Sequence, residues 1–260
     1  MDLENVMFEV RDGAAWVKVN RPKFFNTLNG ATFAELAQVF DEIERDPNIL
    51  CVVITGAGEK AFIAGADIEE IAKLGLKEAQ AYAKRAHTLF GRIEKLGKPA
   101  IAAINGLAMG GGVELALACH LRIMSETAKL GLPELGLGGI PGFGGTQRLP
   151  RIIGKSRALW YILTGEMITA PKALEIGLAH KVVPAASLEE ECLKLTQTLV
   201  QKSPMSVRLV LQAINAATEI DLENGLVLEA ALMTISAASD DKKEGLRAFF
   251  EKRAPKFSGD

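Results

Sequence analysis

Residues 110 to 119, GGGVELALAC, place three consecutive glycines directly before an apolar run that carries one carboxylate, Glu114. No other stretch limits the possible folds as tightly. Glycine loses more conformational entropy on folding than any other residue, so a triplet marks a place where the backbone is approached closely. The run after the triplet reads as a buried helix. Glycines at its start leave the first-turn N–H groups, at the positive end of the helix dipole, uncovered by side chains. Upstream lies AIAAIN (100 to 105), apolar on both faces as in a strand covered on both sides. Ligands of open α/β sheets bind beyond the carboxyl ends of such strands.

The same unit occurs earlier. LCVVIT (50 to 55) is a second covered strand, and GAGEKAFIAGADI (56 to 68) is its glycine-bearing loop. Before it, MFEVRDGAAWVKVN alternates apolar and polar residues around Asp12-Gly13 and predicts a hairpin. Residues 32 to 45 predict an amphipathic helix with Phe33, Leu36, Val39, Phe40 and Ile43 on one face, and 77 to 96 predict another. Strands alternating with helices argue for an α/β fold with a partly parallel sheet. From about residue 185 the pattern is helical throughout: 187 to 202, 204 to 218, 221 to 237 and 240 to 252. The expected division is 1–185, holding both glycine loops and the active site, and 186–260, a helical region of the kind that packs on a neighbouring subunit. No internal repeat is convincing in the sequence.

Charge narrows the partners. With 30 basic and 32 acidic residues the formal net charge is −2, so nucleic acid and anionic membrane are not attracted by the whole molecule, and local basic groups must hold any anionic ligand. The segment MDLENVMFEV lacks the layout of a signal peptide. No apolar run reaches the roughly 18 residues of a transmembrane helix. Cys51, Cys119 and Cys192 are far apart among apolar neighbours, which predicts buried, reduced thiols in a cytoplasmic protein.

Two loops that each offer a backbone N–H can converge on one oxygen that gains negative charge, and one such donor is worth roughly 3 kcal/mol in a transition state. Glu114 alone would only complement a helix dipole. A second carboxylate, Glu134, sits in LGLPELGLGGIPGFGGTQRLP among leucines and glycines. Two carboxylates in apolar surroundings can divide acid and base roles, because burial raises their pKa values unequally. Asp67 reads as the cap of a helix beginning near Ile68. Cys119 and His120 resemble a metal pair, but neighbours on a strand point to opposite faces and no second ligand cluster follows, so no metal site is expected. GGTQRLPR lacks the Gly-Lys-Ser/Thr ending of a phosphate loop.

The motifs NRPKFFNTLN, KAFIAGADI, KPAIAAINGLAMGGGVELALAC, LPELGLGGIPGFGGTQRLPR and AFFEKRAPKF, in this order, resemble the enoyl-CoA hydratase (crotonase) family over essentially the whole chain. The resemblance implies a crotonase-like superhelix of ββα units with a C-terminal helical trimerisation region, assembled as a trimer or a dimer of trimers. It implies an acyl-CoA thioester substrate, with coenzyme A entering as part of that substrate and no other cofactor. Ala66 and Gly111 would donate N–H bonds to the thioester oxygen, and Glu114 and Glu134 would flank a water that adds across a trans-2-enoyl double bond. Lys23, Ala64, Ala66, Asp67 and Ile68 would contact CoA, with Phe249 and Lys252 reaching over from a neighbouring subunit. Three positions depart from the family pattern: His120 stands where aspartate is common, and Phe24 and Phe25 where small residues are common, which would narrow the acyl end or reshape the CoA approach. An enoyl-CoA isomerase needs only one acid/base group, and a hydratase of a cyclic or unusual enoyl-CoA would carry the same motifs. A crotonase-like RNA-binding protein would show a basic, salt-sensitive stripe, and the balanced charge supplies none.

Overall fold

In the computed structural model, which describes all 260 residues, β1 (Val6–Arg11) and β2 (Ala14–Val19) form the expected hairpin. Asp12 and Gly13 both take positive φ, the turn whose twist matches that of the flanking strands. There follow α1 (Gly30–Arg45), β3 (Cys51–Gly56), β4 (Ala61–Ile63), α2 (Ile68–Ile71), α3 (Leu76–Glu94), β5 (Ala100–Ile104), β6 (Leu107–Met109), α4 (Gly111–Ala118), β7 (Leu121–Ser125) and β8 (Lys129–Gly131). A 3-10 turn spans Glu134–Leu137. The chain continues through α5 (Gly145–Ile153), α6 (Lys155–Thr164), β9 (Ile168–Thr169), α7 (Ala170–Glu175) and β10 (Lys181–Val183). It ends in α8 (Leu188–Leu199), α9 (Pro204–Ala216), α10 (Leu222–Ala238) and α11 (Asp240–Glu251).

Two sheets share these strands. The larger has the order β1-β2-β3-β5-β7-β10, parallel from β2 onward; the smaller has the order β4-β6-β8-β9, parallel from β4 to β8. β3/β4, β5/β6 and β7/β8 therefore each give one strand to each sheet before a helix returns the chain. This is a superhelix of ββα coils, and each coil advances both sheets by one strand. The first coil adds only a single bridge, Leu28 to Ala66. The repeat that the sequence conceals is thus plain in the topology. The segments read above as loops contain β4 and β6, which at three residues each are too short to show a period.

The covered strands owe their two apolar faces to two cores. Val52, Ile54, Ala102 and Ile104 face the main core with Phe33, Phe40, Phe62 and Phe90, whereas Cys51, Val53, Ile101 and Ala103 face a smaller one beneath α8 with Trp16, Leu188 and Cys192. The three cysteines are buried and unpaired, and burial pushes their thiols up to about 12. Helix α1 buries the face expected of it and is capped by Asn29, whose side chain accepts the Thr32 N–H at 2.8 Å. Helix α10 differs, because only Leu232 is buried along its 17 residues. No helix is long and apolar enough to cross a membrane.

Candidate active site

Each glycine of the triplet answers a separate demand. Gly110 takes φ +46 and ψ −117 as the N-cap of α4, and a Cβ there would stand 2.9 Å from Glu134 Oε1. A Cβ on Gly111 would press on the Phe143 ring at 3.0 Å, and one on Gly112 would lie 1.9 Å from the Ile63 carbonyl oxygen. The last is a backbone-to-backbone approach that no side chain fits. Gly110 provides no side-chain cap, so the first-turn N–H groups of α4, beginning with Gly111, have no partner within the helix.

The second loop meets this one. Leu28 donates to the Gly65 carbonyl at 2.8 Å and accepts from the Asp67 N–H at 2.8 Å. The Gly65 carbonyl and the Ala66 N–H belong to one trans peptide group and point in opposite directions, so the N–H of Ala66 points away from Leu28. On that other side lies Gly111, whose Cβ position is 3.6 Å from Ala66 N. Both residues line a cavity of about 310 Å³, together with Ala64, Ile68, Glu114 and Glu134.

Glu114 is 1% exposed. Its Oε1 accepts from the N–H groups of Phe143 and Gly145, at 2.7 and 2.8 Å, at the start of α5, which leaves Oε2 for the cavity. Desolvation pushes the carboxyl up to about 7; the two amide bonds and Arg148 oppose the rise, and Glu134 adds to it. Glu134 is half-buried on the 3-10 turn, its Oε2 is buried without a hydrogen-bond partner, and burial raises its pKa as well. Two carboxyls held toward their neutral forms, with one free oxygen each, suit proton transfer in both directions.

The remaining sequence candidates fall elsewhere. Asp67 does not line the cavity: its carboxylate accepts the Glu69 N–H and pairs with Arg21 at 3.1 Å, capping α2. Lys23, Phe249 and Lys252 are exposed and outside the cavity of their own chain. Phe24 and Phe25 are also exposed and do not line it, so they do not narrow this cavity. Cys119 and His120 lie in the turn between α4 and β7 and not on a strand. His120 has a structural task there. Its Nδ1 accepts the Ala100 N–H at 2.9 Å, which assigns the proton to Nε2, and Nε2 donates to the Glu94 carbonyl at 3.1 Å. Burial lowers its pKa, in keeping with this neutral form. Residues unnoticed in the sequence also build the site. Tyr82, itself buried, lines the cavity, donates its hydroxyl to the Leu28 carbonyl at 3.0 Å and packs against Phe33 and Phe143. Tyr82 and Phe143 carry no motif of their own, and only the apolar period of α3 hints at the former.

A two-sheet ββα superhelix with a glycine-cradled cavity lined by one buried and one half-buried glutamate defines a fold and a site that known proteins share. The chain belongs to the Enoyl-CoA hydratase/isomerase family, whose profile matches residues 9–260. It is 43% identical over 253 residues to the short-chain-enoyl-CoA hydratase of Clostridium acetobutylicum, covering 97% of each chain. It is 40% identical over 257 residues to the crotonyl-CoA hydratase of Syntrophomonas wolfei, covering 99% of each. The crystal structure of an enoyl-CoA hydratase from Bacillus anthracis superimposes with a TM-score of 0.96 at 41% identity, over 99% of this chain and all of that one.

Proposed function

We propose that this enzyme adds water across the double bond of a trans-2-enoyl-CoA thioester to give a 3-hydroxyacyl-CoA. The observation that carries the reading is the convergence of two carboxyls, Glu114 and Glu134, and two loop residues with outward N–H groups, Ala66 and Gly111, on one cavity. The thioester oxygen accepts from the Ala66 and Gly111 amides. Glu114 takes a proton from water as the water oxygen bonds to the β-carbon, and the π electrons move into an enolate-like thioester held by those amides. Glu134 delivers a proton to the α-carbon. General acid–base catalysis of this kind contributes roughly 10²–10⁴-fold. The two glutamates titrate as a coupled pair. Glu114 gains one proton and Glu134 gives one up, so passing a proton between them resets the pair. One water is added, no proton is released and the oxidation state does not change overall, so the two carboxyls suffice without a metal or a redox group.

A short acyl chain is supported by the two relatives, a short-chain-enoyl-CoA hydratase and a crotonyl-CoA hydratase. Ala64, Ala66 and Ile68 line the cavity and suit the CoA portion, with Lys23 exposed two residues before Phe25, whose carbonyl accepts the Ala64 N–H at 3.0 Å. Helix α10 exposes Leu222, Val227 and Met233 (78%, 66% and 66%), an apolar surface that supports assembly into a trimer or a dimer of trimers. In such an assembly Phe249 and Lys252 would reach a neighbour's CoA site. Buried, unpaired cysteines and the balanced charge support a cytoplasmic enzyme with no nucleic-acid or membrane partner.

The test is loss of the conjugated thioester absorbance when the protein meets crotonyl-CoA, with Glu134→Gln beside it. Rapid loss, reduced by several orders of magnitude in the variant, supports the reading. A wild type that binds CoA thioesters but leaves crotonyl-CoA intact refutes it for this acyl group.

A further inference from the structure

The two amides that grip Glu114 come from Phe143 and Gly145, in a stretch that also contains Gly139, Gly142 and Gly144 and has no regular structure before α5. Glycine-rich backbone is intrinsically loose, yet it must aim the carboxylate of the general base. Part of the hold is aromatic, since the Phe143 ring lies 5.5 to 6.2 Å from those of Phe33, Tyr82 and Phe90. The polar part runs through Arg148, one turn into α5. Its Nη1 donates to the Phe143 carbonyl at 3.2 Å, while Nε and Nη2 fork onto the Glu94 carboxylate at 3.3 and 3.0 Å. Glu94 is the last residue of α3, and its own carbonyl is pinned by His120 Nε2 at 3.1 Å and Asn215 Nδ2 at 2.7 Å. The guanidinium presses its Nη1 end against the loop: a Cβ on Gly144 would stand 2.1 Å from Nη1, and Gly144 takes φ +114.

We infer that Arg148 is a positioning residue for the reaction: anchored on Glu94, it fixes the loop whose two amides orient the Glu114 carboxylate. The inference rests on the hydration reading above. Arginine suits the task because one rigid fork engages a carboxylate on one side and a carbonyl on the other, which a lysine ammonium does not reproduce. Arg148 also acts through charge. The titratable groups facing Glu114 are Glu134 on the 3-10 turn, Arg148 on α5 and the Tyr82 phenol on α3. Glu134 disfavours the ionised base, Arg148 favours it, and burial keeps the phenol neutral.

Position and charge separate in a variant series. Wild type, Arg148→Met, Arg148→Lys and Glu94→Gln are assayed for kcat and KM on crotonyl-CoA across pH, with urea midpoints measured alongside. In Arg148→Met, kcat falls about 10²-fold, the scale of a misplacement near 1 Å, KM moves little, and the acid limb of kcat/KM shifts to higher pH. Arg148→Lys returns the acid limb to its wild-type position while kcat stays low. Glu94→Gln gives an intermediate kcat. A lower urea midpoint with wild-type kcat per folded site and an unmoved acid limb in Arg148→Met overturns the inference. Full recovery of kcat by Arg148→Lys overturns it too, because charge alone would then suffice. A wild type inactive on crotonyl-CoA is a failure of the hydration reading. Carbon NMR titration of the labelled Glu114 carboxyl then decides: a higher pKa in Arg148→Met supports the inference, and an unchanged one refutes it.

Discussion

Replacing Glu114 by glutamine should inactivate the enzyme and stabilise it above neutral pH. The carboxyl rises from 4.5 to about 7 in the folded protein because the side chain is desolvated. A carboxyl with a raised folded-state pKa binds more protons folded than unfolded, so its contribution is fully present below about 4.5 and is lost as pH climbs through about 7. At about 1.4 kcal/mol per tenfold change, the ionised side chain weakens the fold by roughly 3 kcal/mol above pH 8. Glutamine keeps an oxygen for the Phe143 and Gly145 amides, fits the same volume and carries no charge to desolvate. The assay is urea unfolding of both proteins at fixed concentration between about pH 5 and 9. The difference between them cancels every other titrating group to first order and should grow with pH toward roughly 3 kcal/mol in favour of the variant. A variant less stable than wild type at pH 8.5, or a difference flat with pH, would refute the account of Glu114 as a base kept ready by burial.

The catalytic pH profile follows from the same group. With Glu114 near 7, kcat/KM on crotonyl-CoA should fall about tenfold per pH unit below that value, since the protonated form accepts nothing from water; initial rates from pH 5 to 8 check this. Gly112→Ala should cost more than about 4 kcal/mol, or yield no folded protein, because its methyl would need the space of the Ile63 carbonyl 1.9 Å away; circular dichroism and urea midpoints measure it. Met233→Glu, on the exposed apolar face of α10, should shift the enzyme to monomers, read by sedimentation velocity. An unchanged mass would move the interface elsewhere.

Much of this was legible in residues that repeat a physical period. The covered strands announced themselves because both faces of β3 and β5 must be apolar to serve two cores, and α1 because its buried face recurs every turn. The glycine triplet pointed to a cradle, and Glu134 stood out as a charge among leucines and glycines. The second sheet was not legible, since three-residue strands carry no period and their pairing is settled by the neighbouring coils. Asp67 was legible as a cap, and the structure shows that this duty, with the Arg21 pair, occupies its carboxylate. Arg148 was invisible, because its meaning depends on Glu94, 54 residues away, and on a carbonyl that no sequence pattern marks.

The coil-by-coil topology also bears on how a ligand acts back on the fold. Ala66 follows β4, Gly111 follows β6 and Glu134 follows β8, so a thioester bound as proposed would touch three successive coils at once and act as a cross-strut between them. Only the completed stack offers that grip. At a ligand concentration of about 100 Kd such a strut would add roughly 2.7 kcal/mol by mass action, and it would do so across the seams between coils. Substrate bound in this way would therefore raise the stability of the fold as well as feed the reaction.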